Sequence, residues 1–510
     1  MAKSAVKRPA ASSSSVKKVK KTPSSTPDTT KNVPTRMFTH KKFCLTSFLD
    51  RATSFLNVAV RPSTRAMLLA TGCSGSGAPT FVARALLQDK VEVNEIWAAE
   101  NSSSKAHFLI THCHPKHVFR DVSSVAQDLR GPCFVHGGAA CDVPTERPDL
   151  LWGGFVCKGN SVQNASRFKQ DNIVPEGENK NLDTFYSLRR SIVRHKPRIA
   201  VLENVVGILS KRGGGTDTTT SDFVECDPTW GLKNIPGYSY ARVIVSGHDG
   251  LLSTRRERIW FIMVADDTGD AQCVADRASD LVTHFSKYPL HHIESCRSPT
   301  TRDLWPTHPY HDDEATCDVV SKENRTAAYA SQVAACLHNC VKLGALPGDW
   351  AMSPPQHRLS ERTDPQVQIA PFYRASMDVV SEVIRAGAVA GSAKRYAVSD
   401  VYQSIARMKI KYDGECPTLT TSSRIVDVGA GLMSAGSSSS SLTTTPAWFS
   451  PHELMAIHGF DPQVLNMTTM TWFEGLFLAG EGMALPTLAI IMVPCLVELG
   501  FLIPVSKCED

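Results

Sequence analysis

The sequence predicts an α/β fold, a mostly parallel sheet covered by helices on both faces, with a smaller second region interrupting the chain late. From Arg65 onward, short apolar runs alternate with amphipathic stretches at the spacing of βαβ units. Polar or glycine residues close these runs, and in such sheets ligands sit at the carboxyl ends of the strands. Beyond Arg242 the runs lengthen and become β-rich. From 266 to about 444 the periodicity then lapses and includes low-complexity stretches such as SAGSSSSSLTTT.

Taken in order, Ala66–Thr71 reads as a buried strand, followed by a glycine turn and the helical PTFVARALLQD. Glu95–Glu100 is a second strand, then come a helical SSKAHFLITH and a strand-like HVFRD. Asp149–Gly153, a helical TFYSLRRSIVRH and the strand Arg198–Glu203 continue the alternation. YSYARVIV and RRERIWFIMVAD are longer β-rich segments, and helical signals return at Pro451–His458 and Leu485–Glu498. The expected division is a basic tail at 1–36, a main domain at 37–265, a small domain or insertion at 266–444, and a returning C-terminal segment at 445–510.

Hydrophobic residues make up 42% and charged residues 21%, which suits a globular body. No apolar run reaches the roughly 18–20 residues of a membrane span, so no membrane association is expected. The N-terminus is rich in Lys, Ser and Pro and lacks the apolar stretch of a secretory signal. The fifteen cysteines are scattered without paired CxxC spacing, which suits a reducing compartment. Residues 1–21 hold seven Lys/Arg and no acid; removing them from the net +5 leaves the rest near −2. Any anion-binding surface on the body is therefore a local patch. The tail segment KRPAASSSSVKKVKK resembles a bipartite nuclear-import signal, which implies an import receptor and the nucleus. A solvated basic arm touching phosphate is the alternative.

Chemistry concentrates at the strand ends. Gly72-Cys73-Ser74-Gly75-Ser76-Gly77 lets backbone approach a ligand and exposes N–H groups, although such turns are also ordinary structure. Glu100 ends the next strand, where a carboxylate can accept both hydroxyls of a ribose. Asp121 ends the third, where one can accept from an exocyclic amine; each has a plainer reading as a helix cap. In DLLWGGFVCKGNS, Cys157 sits in a glycine-bounded exit loop beside Lys158, a cation that favours the thiolate. Glu203 ends the neighbouring strand, and Thr254-Arg255-Arg256-Glu257-Arg258 supplies guanidinium groups suited to phosphate and carbonyl oxygens.

The order of these segments resembles the DNA cytosine-5 methyltransferase family over most of residues 65–265 and 415–495. DLLWGGFVCKGNS looks like its nucleophile loop, PRIAVLENVVGIL like its ENV motif, and STRRERIWFIMV like its Q-x-R-x-R motif. PTLTTSS, FSPHELMAIHGFD and GEGMALPTLAIIM resemble its threonine-rich stretch, its R-E-x-x-R-L-Q-G-F-P helix and its terminal G-N-A-V-P segment. The resemblance implies a Rossmann-like S-adenosylmethionine methyltransferase sheet, a smaller target-recognition domain, and duplex DNA as substrate. Catalytic roles then fall on Cys157, Glu203, Arg256 and Arg258. Gly72, Cys73, Gly75, Glu100, Asp121 and the Met483, Ala484, Leu485 stretch would surround the S-adenosylmethionine. Val156 and Lys158 replace the proline and glutamine that flank the family's nucleophile, Thr254 the first residue of Q-x-R-x-R, and Met483 the asparagine of G-N-A-V-P.

Two other functions fit the same residues: a tRNA cytosine-5 methyltransferase, and a nuclear DNA-binding relative without turnover. The crowded run His112-Cys113-His114-Pro115-Lys116-His117 invites a metal. These residues cannot all face one ion and nothing nearby completes a tetrahedral set, so no metal is expected. Oligomeric state is not readable.

Overall fold

The computed structural model describes residues 37–156, 180–210, 219–297 and 447–507, with short stretches between 331 and 427. The tail at 1–36 and Cys157, with Lys158 beside it, lie outside the described residues.

The expected alternation is present. Strands β1 (Met67–Gly72), β2 (Val93–Ala99) and β3 (Val118–Phe119) are followed by a short hairpin of β4 (Arg130–Pro132) and β5 (Ala140–Asp142). Then come β6 (Leu150–Gly154), β7 (Ile199–Val205), β8 (Tyr238–Val245) and β9 (Arg258–Ala265). The main sheet has seven strands in the order β8-β9-β7-β6-β1-β2-β3. From β7 to β3 all pairs are parallel, while β9 and β8 add on antiparallel. The chain runs outward from β1 to β3 and then returns to β1's other side as β6. Strand order therefore reverses between β1 and β6, and a crevice opens there at the carboxyl ends.

Both faces of the sheet are buried, so its strands are apolar throughout and sort by alternation. Trp152, Val201, Trp260 and Ile262 point into one core, while Leu151, Leu202, Phe261 and Met263 point into the other. Helices α1 (Leu45–Phe55), α2 (Ala78–Leu87), α5 (Ala271–Phe285) and α8 (Leu485–Glu498) contribute to the first core. Helix α4 (Lys180–His195) covers the second, and α3 (Ser103–Cys113) packs beside β2 and β3. Between α5 and α8 lie α6 (Pro451–Ile457) and α7 (Trp472–Glu481), both opened by capping boxes, from Ser450 to Glu453 and from Thr471 to Glu474.

The structure differs from the reading of the sequence in three places. The strand expected at HVFRD shrinks to Val118–Phe119, because its pairing with β2 spans only those two residues; on the other side β3 makes a single antiparallel bridge, from Phe119 to Cys133 just after β4. Helix α5 arises where periodicity was expected to lapse: Asp270 caps it by accepting from the Gln272 N–H, and Ala271, Val274, Ala278, Leu281 and Phe285 form its buried stripe. Short strands at Ala397–Asp400, Lys411–Tyr412, Ile425–Asp427 and Ala447–Trp448 form a separate antiparallel sheet in the late region. Among the described residues no single helix is long and apolar enough to cross a membrane. Helix α8 is apolar on every side because residues Leu485 to Leu496 are all buried within the protein.

Candidate active site

The turn after β1 is strained into shape. Cys73, Gly75 and Gly77 all take positive φ, at 54°, 53° and 65°. Gly77 caps α2 where a Cβ would fall 2.3 Å from the Cys113 sulfur, so only glycine fits. Gly75 has open space around it, and its N–H donates to Glu100 Oε2 at 2.9 Å. Gly72 serves packing instead: a Cβ there would lie 2.4 Å from Leu188 of α4. Beneath the turn, Glu95 accepts from the Thr71 and Thr80 hydroxyls at 2.5 and 2.8 Å, tying β1, β2 and α2 together. The Cys73 thiol is pushed up to about 12, first by burial and then by Glu100, so it stays protonated.

Glu100 is 6% exposed and accepts from Gly75 N–H on one oxygen and Ser102 N–H, at 3.0 Å, on the other. A carboxylate has about four acceptor sites, so capacity remains for two hydroxyls. Asp121 is exposed at the neighbouring strand end, its Oδ1 accepting from Ser123 N–H at 2.8 Å. Opposite them stands the C-terminal return. The buried ammonium of Lys105 pairs with Glu481 and lies 4.4 Å from the centre of the Phe477 ring. A Cβ on Gly482 would sit 3.4 Å from the buried Ser76 hydroxyl, which has no partner among the described residues. The stretch Gly482 to Leu485 therefore faces the glycine turn, with Leu485 N–H held by the His458 carbonyl at 2.9 Å.

On the other side of the crevice, Gly154 and Glu203 are in register on β6 and β7. A Cβ on Gly154 would lie 3.3 Å from Glu203 Oε2 and 2.9 Å from Met483 Cε. Glu203 is paired through Oε1 with Arg258 Nε at 2.5 Å, and both side chains are largely buried. Asn204, fully buried, donates through Nδ2 to the Phe155 carbonyl at 3.1 Å, and Val156 N–H donates to the Thr184 hydroxyl at 2.9 Å. The chain is thus held on both sides up to the residue before Cys157.

Arg256 goes elsewhere. Its guanidinium donates to the carbonyls of Leu419, at 2.8 Å, Gly480, at 2.9 Å, and Glu481, at 3.5 Å. It stitches the loop before β9 to the threonine-rich stretch and to the end of α7, which makes it a positioning residue rather than a reactive one. His458 is buried beside it and held well below its ordinary pKa, first by burial and then by Arg256 and Arg258. Sequence reasoning missed Lys105 and Glu481, which lie far apart in the chain and carry no local signal. Asn204 was visible only as the middle of the ENV motif.

The carboxyl edge of the sheet therefore gathers Glu203, Arg258, Gly154 and Met483 in one group, and the glycine turn with Glu100 in another. A family model described as C-5 cytosine-specific DNA methylase matches residues 83–462, well over half of the chain. A search among curated proteins finds no matching sequence. Solved structures similar to this chain include the S. pombe Dnmt2 methyltransferase, at 11% identity over 85% of this chain and 99% of that one, with a TM-score of 0.41. The Entamoeba histolytica methyltransferase EhMeth has 10% identity, coverage of 86% and 99%, and a TM-score of 0.39. A putative DNA modification methyltransferase encoded within an E. coli prophage has 15% identity, coverage of 85% and 99%, and a TM-score of 0.41. On the family match, this chain belongs to the C-5 cytosine-specific DNA methylases.

Proposed function

We propose that this protein methylates carbon 5 of cytosine in duplex DNA, using S-adenosylmethionine and a covalent adduct on Cys157 with the base flipped out of the helix. The observation that carries the reading is the buried Glu203–Arg258 pair beside Gly154, on the strand that leads three residues later to Cys157. S-adenosylmethionine supplies an electrophilic methyl group. The residues suit it: Glu100 keeps acceptor capacity for ribose hydroxyls, Gly75 leaves open space, Ser76 has a buried hydroxyl without a partner among the described residues, and Asp121 is exposed at the adjacent strand end.

In this reading the Cys157 thiolate adds to carbon 6 of the flipped cytosine, at an unstacking cost of a few kcal/mol. Glu203 hydrogen-bonds to the ring nitrogen or, having taken up a proton from solvent, protonates it; this stabilises the adduct and directs its electron pair to carbon 5, and any proton taken up is returned on elimination. Arg258 holds Glu203 in orientation and offers its guanidinium edge to the base carbonyl oxygen. After methyl transfer, loss of the carbon 5 proton to solvent base breaks the carbon–sulfur bond and restores the thiolate. Duplex DNA is favoured over tRNA because the long region 266–444 offers room for groove readout, and because a basic nuclear-type tail precedes the body.

The test offers labelled S-adenosylmethionine with unmethylated duplex DNA or tRNA, plus duplex carrying 5-fluorocytosine. Label on DNA and a trapped adduct that vanishes in Cys157→Ala are the expected results. Transfer to tRNA alone, or cofactor binding without transfer, would overturn the proposal in favour of an RNA enzyme or an inactive relative. We propose further that residues 1–21 direct nuclear import; a fluorescent fusion carrying Lys17, Lys18, Lys20 and Lys21 changed to Ala should lose nuclear accumulation, and unchanged accumulation would refute this.

A further inference from the structure

The hairpin beside β3 and the residue that precedes β3 bring together four side chains that the cytosine chemistry does not use: His117, Cys133, His136 and Cys141. One donor atom from each, a ring nitrogen or a sulfur, lies within 4.8 Å of all the others. Cys133 Sγ is 3.9 Å from His117 Nδ1 and 3.3 Å from His136 Nδ1, and His136 Nδ1 is 3.3 Å from Cys141 Sγ. A tetrahedral ion with Zn–S near 2.3 Å and Zn–N near 2.0–2.1 Å sets its nitrogen and sulfur donors about 3.5 Å apart. The observed separations straddle that value.

The local fold is shaped to make the cluster. Cys133 is fully buried and bridges to Phe119 of the edge strand β3, and Val118 N–H donates to its sulfur at 3.4 Å. Gly137 and Gly138 take φ of 63° and 89°, reversing the chain between β4 and β5 so that His136 and Cys141 return to the same point. Each strand of the hairpin has three residues, so the ribbon has few ladder bonds of its own and leans on its contacts with β3. The sequence expectation that no tetrahedral set completes near His112 to His117 is corrected here. His112 bonds Asn466, Cys113 packs under Gly77, and only His117 turns to the cluster, whose other members come from the following hairpin.

We infer that His117, Cys133, His136 and Cys141 bind one zinc ion in a closed structural site. Two thiolates and two imidazoles are the donor set of structural zinc, and four protein ligands leave no open position for catalysis. Binding releases the two thiol protons, so a divalent ion and two thiolates form a neutral centre. Its place gives it a purpose: it clamps the short edge strand β3 and the loop that carries Asp121 to the hairpin, independently of what the sheet methylates.

The protein purified in reducing buffer without chelators should contain about one zinc per chain by elemental analysis. Cobalt substitution should give thiolate charge-transfer and tetrahedral ligand-field bands. His136→Ala, at an exposed position, should lower metal content at least tenfold while circular dichroism stays native, and Cys141→Ser should remove the charge-transfer intensity in proportion. His114→Ala, outside the cluster, should change neither. A freshly purified, folded and reduced protein that holds no zinc and takes none up in a titration against a chromophoric chelator would overturn the site. A Cys133–Cys141 disulfide in place of bound metal under the same conditions would also overturn it.

Discussion

At the scale of single residues, the site depends on groups whose surroundings leave little freedom. Glu203 and Arg258 are mutually paired and largely buried, so removing either leaves the other as an uncompensated charge. Glu203→Gln keeps the shape and removes the carboxylate; turnover should fall about 100-fold or more, and the melting temperature should drop because Arg258 loses its countercharge. Near-normal turnover in that variant would remove Glu203 from the chemistry. Gly154→Ala is a second probe, since the new methyl would meet the end of the flexible Met483 side chain and the Glu203 carboxylate. The fold should tolerate it while activity drops, measured as a fall in kcat without loss of thermal stability.

Glu95 yields a pH prediction at the same scale. Burial pushes its carboxyl up to about 7, against the pull of the Thr71 and Thr80 hydroxyls. The folded protein therefore keeps a proton that the unfolded chain loses around its ordinary value of 4.5. This stabilisation is complete below the unfolded value and disappears as pH rises through the folded one. Glu95→Gln can accept from one hydroxyl and donate to the other without charging. It should raise stability at about pH 8 by up to about 3 kcal/mol and flatten the melting curve against pH. Parallel curves for the variant and the parent would contradict the assignment.

At the scale of elements, the active edge is assembled by segments distant in sequence. Arg256 joins the entry to β9 with the threonine-rich stretch and the end of α7 through three carbonyls. Arg256→Ala should cost about 3 kcal/mol, because buried carbonyls lose a charged donor. Any loss of activity should then appear chiefly as a raised KM, as expected of misplaced C-terminal groups. Loss of kcat alone at unchanged stability would instead make Arg256 part of the chemistry. The strands, most helices and the strand-end carboxylates were legible because alternation, glycine turns and polar terminators are local signals. Arg256 was not: two residues before Arg258 it looks equivalent in sequence, and only its burial against remote carbonyls separates the two. Gly72 is similar, since nothing local says that its missing side chain makes room for Leu188.

At the scale of the whole molecule, one core depends on a helix from the far end of the chain. Helix α8 packs among α1, α2 and α5, and its residues from Leu485 to Leu496 are buried. A fragment ending at residue 297 would leave that face of the sheet open. It should show helical far-ultraviolet dichroism, weak near-ultraviolet signal and strong binding of a hydrophobic dye. A fragment with native-like near-ultraviolet signal would show that α8 is dispensable.

The sheet-and-helix class, the family and the polar residues at the strand ends can all be read before any fold is known. Each of these is written in short-range periodicity or in contiguous motifs. Tertiary structure alone decided which of two neighbouring arginines meets Glu203, that Met483 faces Gly154, and that Lys105 pins Glu481. It alone completed the donor set around His117. The physical reason is that each depends on a distance between side chains: for the first three the residues lie far apart along the chain and packing of helices and strands sets the distance, and for the fourth a turn of the hairpin sets it, which spacing in the sequence does not encode.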